Sequence, residues 1–191
     1  MSRAIILGGA ECVWGDLAAL ERMTGTWDGL VIAVNDVGVH WTRRLDHWVS
    51  LHPEKLVRRD PGHPKKWPWV RQRAHHGHPN GYETWTRNTK RIAVDHRIPA
   101  WPGGSSGLLA VNVAAALHCD RVVLVGVPMD KQPHFRESGV HVRGRNWNPN
   151  AHWKKWLAHE GDLRGWVRSM SGRTRDLLGE PTPTWLEGAD E

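Results

Sequence analysis

Two cysteines, one tyrosine and one phenylalanine are all that this chain of 191 residues holds of those types. Cys12 and Cys119 are too few for the disulfide framework on which small secreted domains rely. At this length a hydrophobic core forms without such staples. Long apolar runs are missing too. None approaches the roughly 20 residues of a membrane helix, and the apolar stretch near the start is too short for the core of a secretion signal. A soluble cytoplasmic protein with no membrane partner is therefore expected. Acidic residues are the minority: 20 Asp and Glu against 26 Lys and Arg leave a net charge of +6 and a pI near 9.8. Such a surface suits nucleotides and nucleic acids, and charge alone does not separate them. The aromatic side chains that are present are almost all tryptophan, 13 of them. Some belong in a core. So large a set also points to a surface that stacks on rings or anchors a partner.

Apolar runs alternate with helical segments in a βα rhythm. Arg3–Leu7, Gly29–Val34, His47–Leu51 and Arg121–Val125 are short and continuous in hydrophobicity, as strands buried on both faces are. Asp16–Met23 and Leu108–Leu117 read as helices between strands. Asn150–Glu160 reads as an amphipathic helix with Trp153, Trp156 and Leu157 on one side. Trp166–Met170 is a candidate last strand. Ser171–Leu178 is a terminal helix capped by Ser171 and stopped by Gly179 and Pro181. The spacing predicts one α/β domain over residues 1–186, a Rossmann-like, doubly wound, mostly parallel sheet, with a disordered tail at 187–191. Residues 56–102 interrupt it as an irregular basic, Trp-rich insertion, in which Arg71–His76 and Arg91–Val94 are the only candidate strands. Lys131–Asn148 is a second polar loop.

Several familiar signatures are absent. Gly8-Gly9 follows the first strand, where backbone N–H groups meet phosphate or ribose, but no third glycine completes a dinucleotide fingerprint. A tight turn would need the same small residues. Gly103-Gly-Ser-Ser-Gly107 opens an apolar helix without the Gly-Lys-Ser/Thr of a P-loop. Its glycines admit a ligand to the backbone, and Ser105, Ser106 and the free N–H groups offer donors to an anion. An ordinary N-cap uses Ser105 or Ser106 as well. Asn35 and His52 follow strands directly, at the crevice of an open α/β sheet, while Asp36 reads equally as a turn residue. His75-His76-Gly77-His78 lacks usable ligand spacing, since neighbours on an extended segment face opposite ways and no Cys or acid lies close. No metal site is expected. His134 and His152, near the second polar loop, are candidate general bases. Arg58, Arg59, Lys65, Lys66, Arg71 and Arg73 surround Trp67 and Trp69. That interleaving suits a nucleic-acid strand, or a solvated loop pinned by tryptophan.

The order of these motifs resembles the single-domain bacterial sialyltransferases that use CMP-sialic acid, and the Rossmann-like superfamily around them, which includes hydroxymethylpterin pyrophosphokinase-like proteins. The resemblance runs through Ile5-Ile-Leu-Gly-Gly-Ala-Glu11, Val31-Ile-Ala-Val-Asn35, Ser50-Leu-His52-Pro53, Ser105-Ser-Gly107 with its small-residue helix, and Val122-Val-Leu-Val-Gly-Val-Pro-Met-Asp130. The chain is also similar to uncharacterised small bacteriophage proteins. The resemblance implies nucleotide contacts from Asn35, Ser106 and Gly107, with Asp130 closing the matching strand, and a base in the later loop, best matched by His152 and next by His134. Gly9 and His52 stand where the family has Asn, and its paired phosphate-binding tyrosines have no counterpart, Tyr82 being the lone tyrosine.

The expectation is a nucleotide-dependent transferase of glycosyl groups to a hydroxyl acceptor. The nucleotide or nucleotide sugar is a co-substrate, and no separate cofactor is needed. Gly8, Gly9, Asn35, His52, Ser105, Ser106, Gly107 and Asp130 would bind the nucleotide. His152 or His134 would serve as base, and Arg136, Arg143 and Arg145 would neutralise phosphate in place of the missing tyrosines. Two alternatives stand beside it. One is a non-catalytic protein that binds nucleic acid or a nucleotide signal through 56–102. The other is a pyrophosphokinase or nucleotide hydrolase with a divalent ion near Asp130 and Asp36.

Overall fold

The computed structural model describes residues 1–52, 82–87, 94–98, 104–135 and 148–188. The chain enters through strand β1 (Arg3–Leu7), helix α1 (Val13–Thr24), β2 (Leu30–Val34), the single turn α2 (Val37–His40) and β3 (His47–Val49). It continues through β4 (Glu83–Thr86), β5 (His96–Arg97), α3 (Ser106–Ala116) and β6 (Arg121–Val125). It ends with α4 (Pro149–Ala158), α5 (Glu160–Leu163), β7 (Val167–Ser169), α6 (Gly172–Leu178) and α7 (Pro183–Leu186). The strands form one sheet in the order β5-β4-β3-β2-β1-β6-β7, and every strand pairing in it is parallel.

Residue type explains that sheet. Along β1, Ala4 and Ile6 face one side while Ile5 and Leu7 face the other, and all four are completely buried. β2 and β6 repeat the pattern, with Ile32, Val34, Val122 and Leu124 on the first side and Val31, Ala33, Val123 and Val125 on the second. A strand packed on both faces needs an unbroken apolar run, and helices must cover each face. On the first face lie α3, Trp156 of α4, Leu163 of α5 and Leu177 and Leu178 of α6. On the second lie Val13, Leu17 and Leu20 of α1, Val37 of α2, Trp41, Leu45, Trp185 and Leu186. The sheet is thus an α/β, Rossmann-like one, covered on both sides. No helix among the described residues is long and apolar enough to cross a membrane.

The departures from sequence expectation lie mainly at the margins. β3 stops at Val49 rather than Leu51, α1 starts at Val13, and the helix read as Asn150–Glu160 divides into α4 and α5. α2, α7, β4 and β5 have no counterpart in the sequence reading. β4 and β5 fall inside the stretch read as irregular; of its second candidate strand, Arg91–Val94, residues 91–93 lie outside the described residues. The reason β4 is missed is local chemistry. Glu83-Thr-Trp-Thr86 carries few apolar residues, and beside its strand pairings it is tied by polar closure: Thr84 N–H and Oγ1 both donate to Asp95 Oδ2 at 2.7 Å. The Arg71–His76 candidate and the Trp67–Trp69 stretch lie outside the described residues, as does the tail from 189 on.

A polar cluster closes the amino ends of the outer strands. His47, Glu83 and His96 are the first residues of β3, β4 and β5. Buried His47 accepts the Trp85 indole N–H at Nδ1, 3.1 Å away, and His96 stacks on Trp85 while its Nε2 meets Glu83 at 2.9 Å. Burial lowers the His47 pKa from its ordinary 6.5, with Glu83 and Asp46 offsetting part of the effect. In the unfolded chain the ring protonates near that ordinary value, while in the fold a proton on Nδ1 must displace the indole. The unfolded state therefore binds more protons below about pH 6.5, so the contribution is present above that value and is lost progressively as pH falls from there through the lower value in the fold. One such group costs at most about 1.4 kcal/mol per pH unit. Urea unfolding of wild type and His47→Gln at pH 7 and pH 5 checks this. The variant keeps an acceptor for Trp85 and should lose less stability on acidification.

Candidate functional site

The strand order reverses between β1 and β6. From β1 the chain steps outward through β2 to β5, then α3 carries it back to β6 on the other side of β1. At such a switch point the loops leaving the carboxyl ends of neighbouring strands part and open a crevice. At this carboxyl edge Gly8-Gly9 follows β1 and packs on Gly126 after β6, Asn35 follows β2, Ser50-Leu51-His52 follows β3, and the start of α3 meets Asn35 and Leu51.

Asn35 is the hub. Its backbone sits at φ +52°, a left-handed conformation that asparagine tolerates better than most residues. Its carbonyl accepts the indole N–H of buried Trp48 at 2.6 Å, and its N–H donates to Val49 O at 3.0 Å. The side chain is fixed from two sides. Ser50 Oγ donates to Asn35 Oδ1 at 2.6 Å, and Ser106 Oγ donates to the same oxygen at 3.4 Å. Both hydroxyls are oriented in turn, because Ser50 accepts the His52 N–H at 2.9 Å and Ser106 accepts the Leu51 N–H at 3.4 Å. With Oδ1 occupied by two donors, the amide must turn its NH₂ end the other way. That end has no hydrogen-bond partner among the described residues, and the residue is only partly buried. His52 therefore joins this network through its backbone, and its side chain is exposed.

The two serines at the head of α3 divide the work. Ser105 is the cap: its Oγ accepts from Leu108 N–H at 3.2 Å and from Trp156 Nε1 at 3.3 Å. Ser106 turns to Asn35. Gly107, the second helical residue, faces inward, where a Cβ would lie 3.1 Å from Val127, so its smallness serves close packing of the helix on the end of β6. The N–H groups of Ser106 and Gly107 lie in the first turn, where no intrahelical acceptor exists.

The first glycine pair divides in the same way. Gly8 donates its N–H to Val125 O at 2.7 Å, and a Cβ on it would collide with the Gly126 carbonyl and Val127. Gly8 is thus required by the approach of β1 to β6. Gly9 faces His134, whose Nε2 would lie 2.8 Å from a Cβ there, and the segment is held by the Ala10–His134 bridge and by Phe135 N–H donating to Gly9 O at 3.0 Å. His152, in the first half of α4, rests against Gly104 just before α3, its Nδ1 2.8 Å from where a Cβ would be. Both candidate bases therefore adjoin glycines at the carboxyl edge. Asp130 makes no hydrogen bond to the Asn35 network among the described residues. It folds onto its own loop, accepting from Gln132 N–H at 2.9 Å and Gln132 Nε2 at 3.2 Å. Buried Asp36 leads into α2 without a side-chain cap bond. Arg136, Arg143 and Arg145 lie outside the described residues. Among the described residues no three His, Cys, Asp or Glu side chains are arranged to hold a metal ion.

Sequence reasoning missed a polar relay beneath this edge. Asp16, read only as the start of a helix, is buried. Its Oδ2 accepts from Gly126 N–H at 2.9 Å and from Ser171 Oγ at 2.7 Å. Ser171 heads α6 without capping it, contrary to expectation; its hydroxyl is turned to Asp16, to which it donates. The Cys12 thiol, 3.3 Å from Ser171 Oγ, completes the chain. A polar residue in the first turn of a helix facing the sheet was the available signal for Asp16. Nothing local marks Ser171, whose partner is 155 residues away. Ser50 was passed over because a serine inside an apolar strand run carries no mark of its own.

Comparison with protein-family models, with characterised proteins and with solved structures finds no match to this chain.

Burial, with the nearby Asp16 carboxyl, pushes the Cys12 thiol up to about 12, and burial also raises Cys119. Thiolate is the reactive form, so native protein at pH 8 should react with a thiol reagent at least ~100-fold more slowly than urea-unfolded protein. Rapid modification of native Cys12 would contradict the relay. Gly8→Ala should destabilise the fold by about 1–3 kcal/mol, the usual cost of overpacking, read by urea unfolding. Gly9→Ala, where the obstacle is the far end of the His134 side chain, should cost less.

Proposed function

We propose that this protein is a nucleotide-dependent transferase, moving a glycosyl group from a nucleotide sugar to a hydroxyl acceptor. The observation that carries the reading is the Asn35 amide, whose oxygen is held by Ser50 and Ser106 and whose NH₂ end has no hydrogen-bond partner among the described residues. A donor pair held in place before the ligand arrives suits the acceptor edge of a base or the oxygens of a ribose. Beside it, the N–H groups of Ser106 and Gly107 open the 11-residue helix α3, and helix starts favour phosphate.

In such a transfer the acceptor oxygen forms a bond to the anomeric carbon as the bond from that carbon to the leaving phosphate oxygen breaks. The acceptor proton passes to a base, and the negative charge ends on the departing nucleotide. The start of α3 would stabilise that charge. His152, against Gly104, is the first candidate base, and His134, against Gly9, is the second. Water would compete with the acceptor for the donor sugar, so acceptor binding must exclude it.

A thermal-shift series over nucleotides and nucleotide sugars tests the first half, since a ligand of the native state raises the melting temperature by mass action. At least one nucleotide should raise it, and Ser106→Ala should weaken that ligand by about 0.5–1.5 kcal/mol, one net hydrogen bond. With the donor identified, His152→Ala should lower turnover by ~10²–10⁴-fold with nucleotide affinity nearly unchanged. An unchanged rate transfers the base role to His134, and no shift with any nucleotide ends the reading.

A further inference from the structure

Trp14 is the only exposed tryptophan among the described residues, at 40% exposure. It is the second residue of α1, close behind Gly8-Gly9, and it is held rather than loose. Its ring lies parallel to that of buried Trp41, centroids 6.5 Å apart, and Phe135 meets it edge-on at 5.9 Å. Phe135 in turn packs against His40 at 5.2 Å and His134 at 4.5 Å, and His134 is the imidazole that rests on Gly9. A continuous row of rings therefore runs from the candidate site out to a solvent-facing indole. An apolar ring fixed by its neighbours loses little conformational freedom when a flat ligand covers it.

The charge around the row is positive. Arg43 lies over the Trp41 ring, 5.4 Å from its centroid, with 58% of its side chain exposed. Arg44 follows it, 55% exposed. Arg22 is exposed on the stripe of α1 that starts at Trp14, two steps of four residues further on. Arg43 and Arg44 also pair with Glu21 and Asp46, whose carboxylates are partly buried, while the two guanidinium groups keep more than half of their surface open to solvent. The whole chain carries a net charge of +6. Rings with a sequence-tolerant face, flanked by guanidinium groups, form the arrangement that binds single strands. A neutral sugar ring would use the indole but gain nothing from the arginines.

The geometry points to Trp14, with Arg22 and Arg43, as a docking ledge for single-stranded nucleic acid, a base stacking on the Trp14 indole and the backbone phosphates running past the arginines. The ledge adjoins the proposed nucleotide site but does not depend on transfer chemistry.

Fluorescence anisotropy with a labelled oligothymidylate of about ten nucleotides, within the usual span of such sites, tests it on the full chain. Wild type should bind with an affinity that falls as salt rises. Trp14→Ala should weaken binding by about 10-fold, Trp14→Phe should restore most of it, and Arg22→Gln with Arg43→Gln should flatten the salt dependence. Trp14 lies at the surface, so its replacement leaves the core intact, and an unchanged melting temperature verifies this. Asn35→Ala should leave strand binding unchanged, which separates this inference from the nucleotide reading: either can fail alone. The inference is overturned if wild type does not bind the strand, or if Trp14→Ala binds it as tightly. It is equally overturned if the ledge instead binds a neutral oligosaccharide, or closes a dimer that Trp14→Ala dissolves.

Discussion

Asp16 sends one carboxyl oxygen to two donors, the Gly126 amide at 2.9 Å and the Ser171 hydroxyl at 2.7 Å. Those donors belong to the turns that leave β6 and β7, while Asp16 itself belongs to the helix that leaves β1. Three successive neighbours in the sheet are thereby fastened at their carboxyl ends by one buried group. Hydrogen bonds between parallel strands end where the strands end, so the loops beyond need a separate tie. With that tie in place, Gly8 sits tightly on the Gly126 carbonyl. Removing the carboxyl would leave the Gly126 N–H and Ser171 hydroxyl short of a buried acceptor.

The second tie is built by hydroxyls. Ser50 and Ser106 come from β3's end and α3's start, 56 residues apart in numbering, and meet on a single amide oxygen. Each hydroxyl receives one N–H and gives one proton, so neither is left to choose between partners. The strained backbone of Asn35 at φ +52° persists because Trp48, Val49 and both serines fix it together. Strain held by several partners at a strand end is a common mark of a site prepared for a ligand. The proposed nucleotide reading draws on that preparation more than on any single residue type.

The preference for tryptophan over phenylalanine has a physical explanation in the same network. An indole fills the volume of a large apolar side chain and also carries a donor. Trp48 spends its N–H on the Asn35 carbonyl, Trp156 on the Ser105 cap, Trp41 on Arg44 O and Trp85 on His47. Phenylalanine at these positions would fill the space and leave an acceptor bare. Trp14 differs because its ring is held by other rings and meets solvent, the setting from which the ledge for single strands was inferred.

The apolar runs of β1, β2 and β6 by themselves determined a parallel sheet buried on both faces, because only continuous hydrophobicity fits that environment and each run is read within five residues. The same holds for α3, whose small apolar residues and serine cap are local signals. Asn35 and Ser106 were legible as candidate site residues from their place after a strand and at the start of a helix. What they do there was not, since their partners, Ser50 and each other, are joined only when the sheet forms. Tertiary structure alone decided that Ser105 rather than Ser106 caps α3, that Gly8 serves strand packing while Gly9 faces an imidazole, and that Ser171 turns to Asp16. Periodicity reports burial along one element, whereas hydrogen bonds between strand ends depend on distances that no local pattern contains.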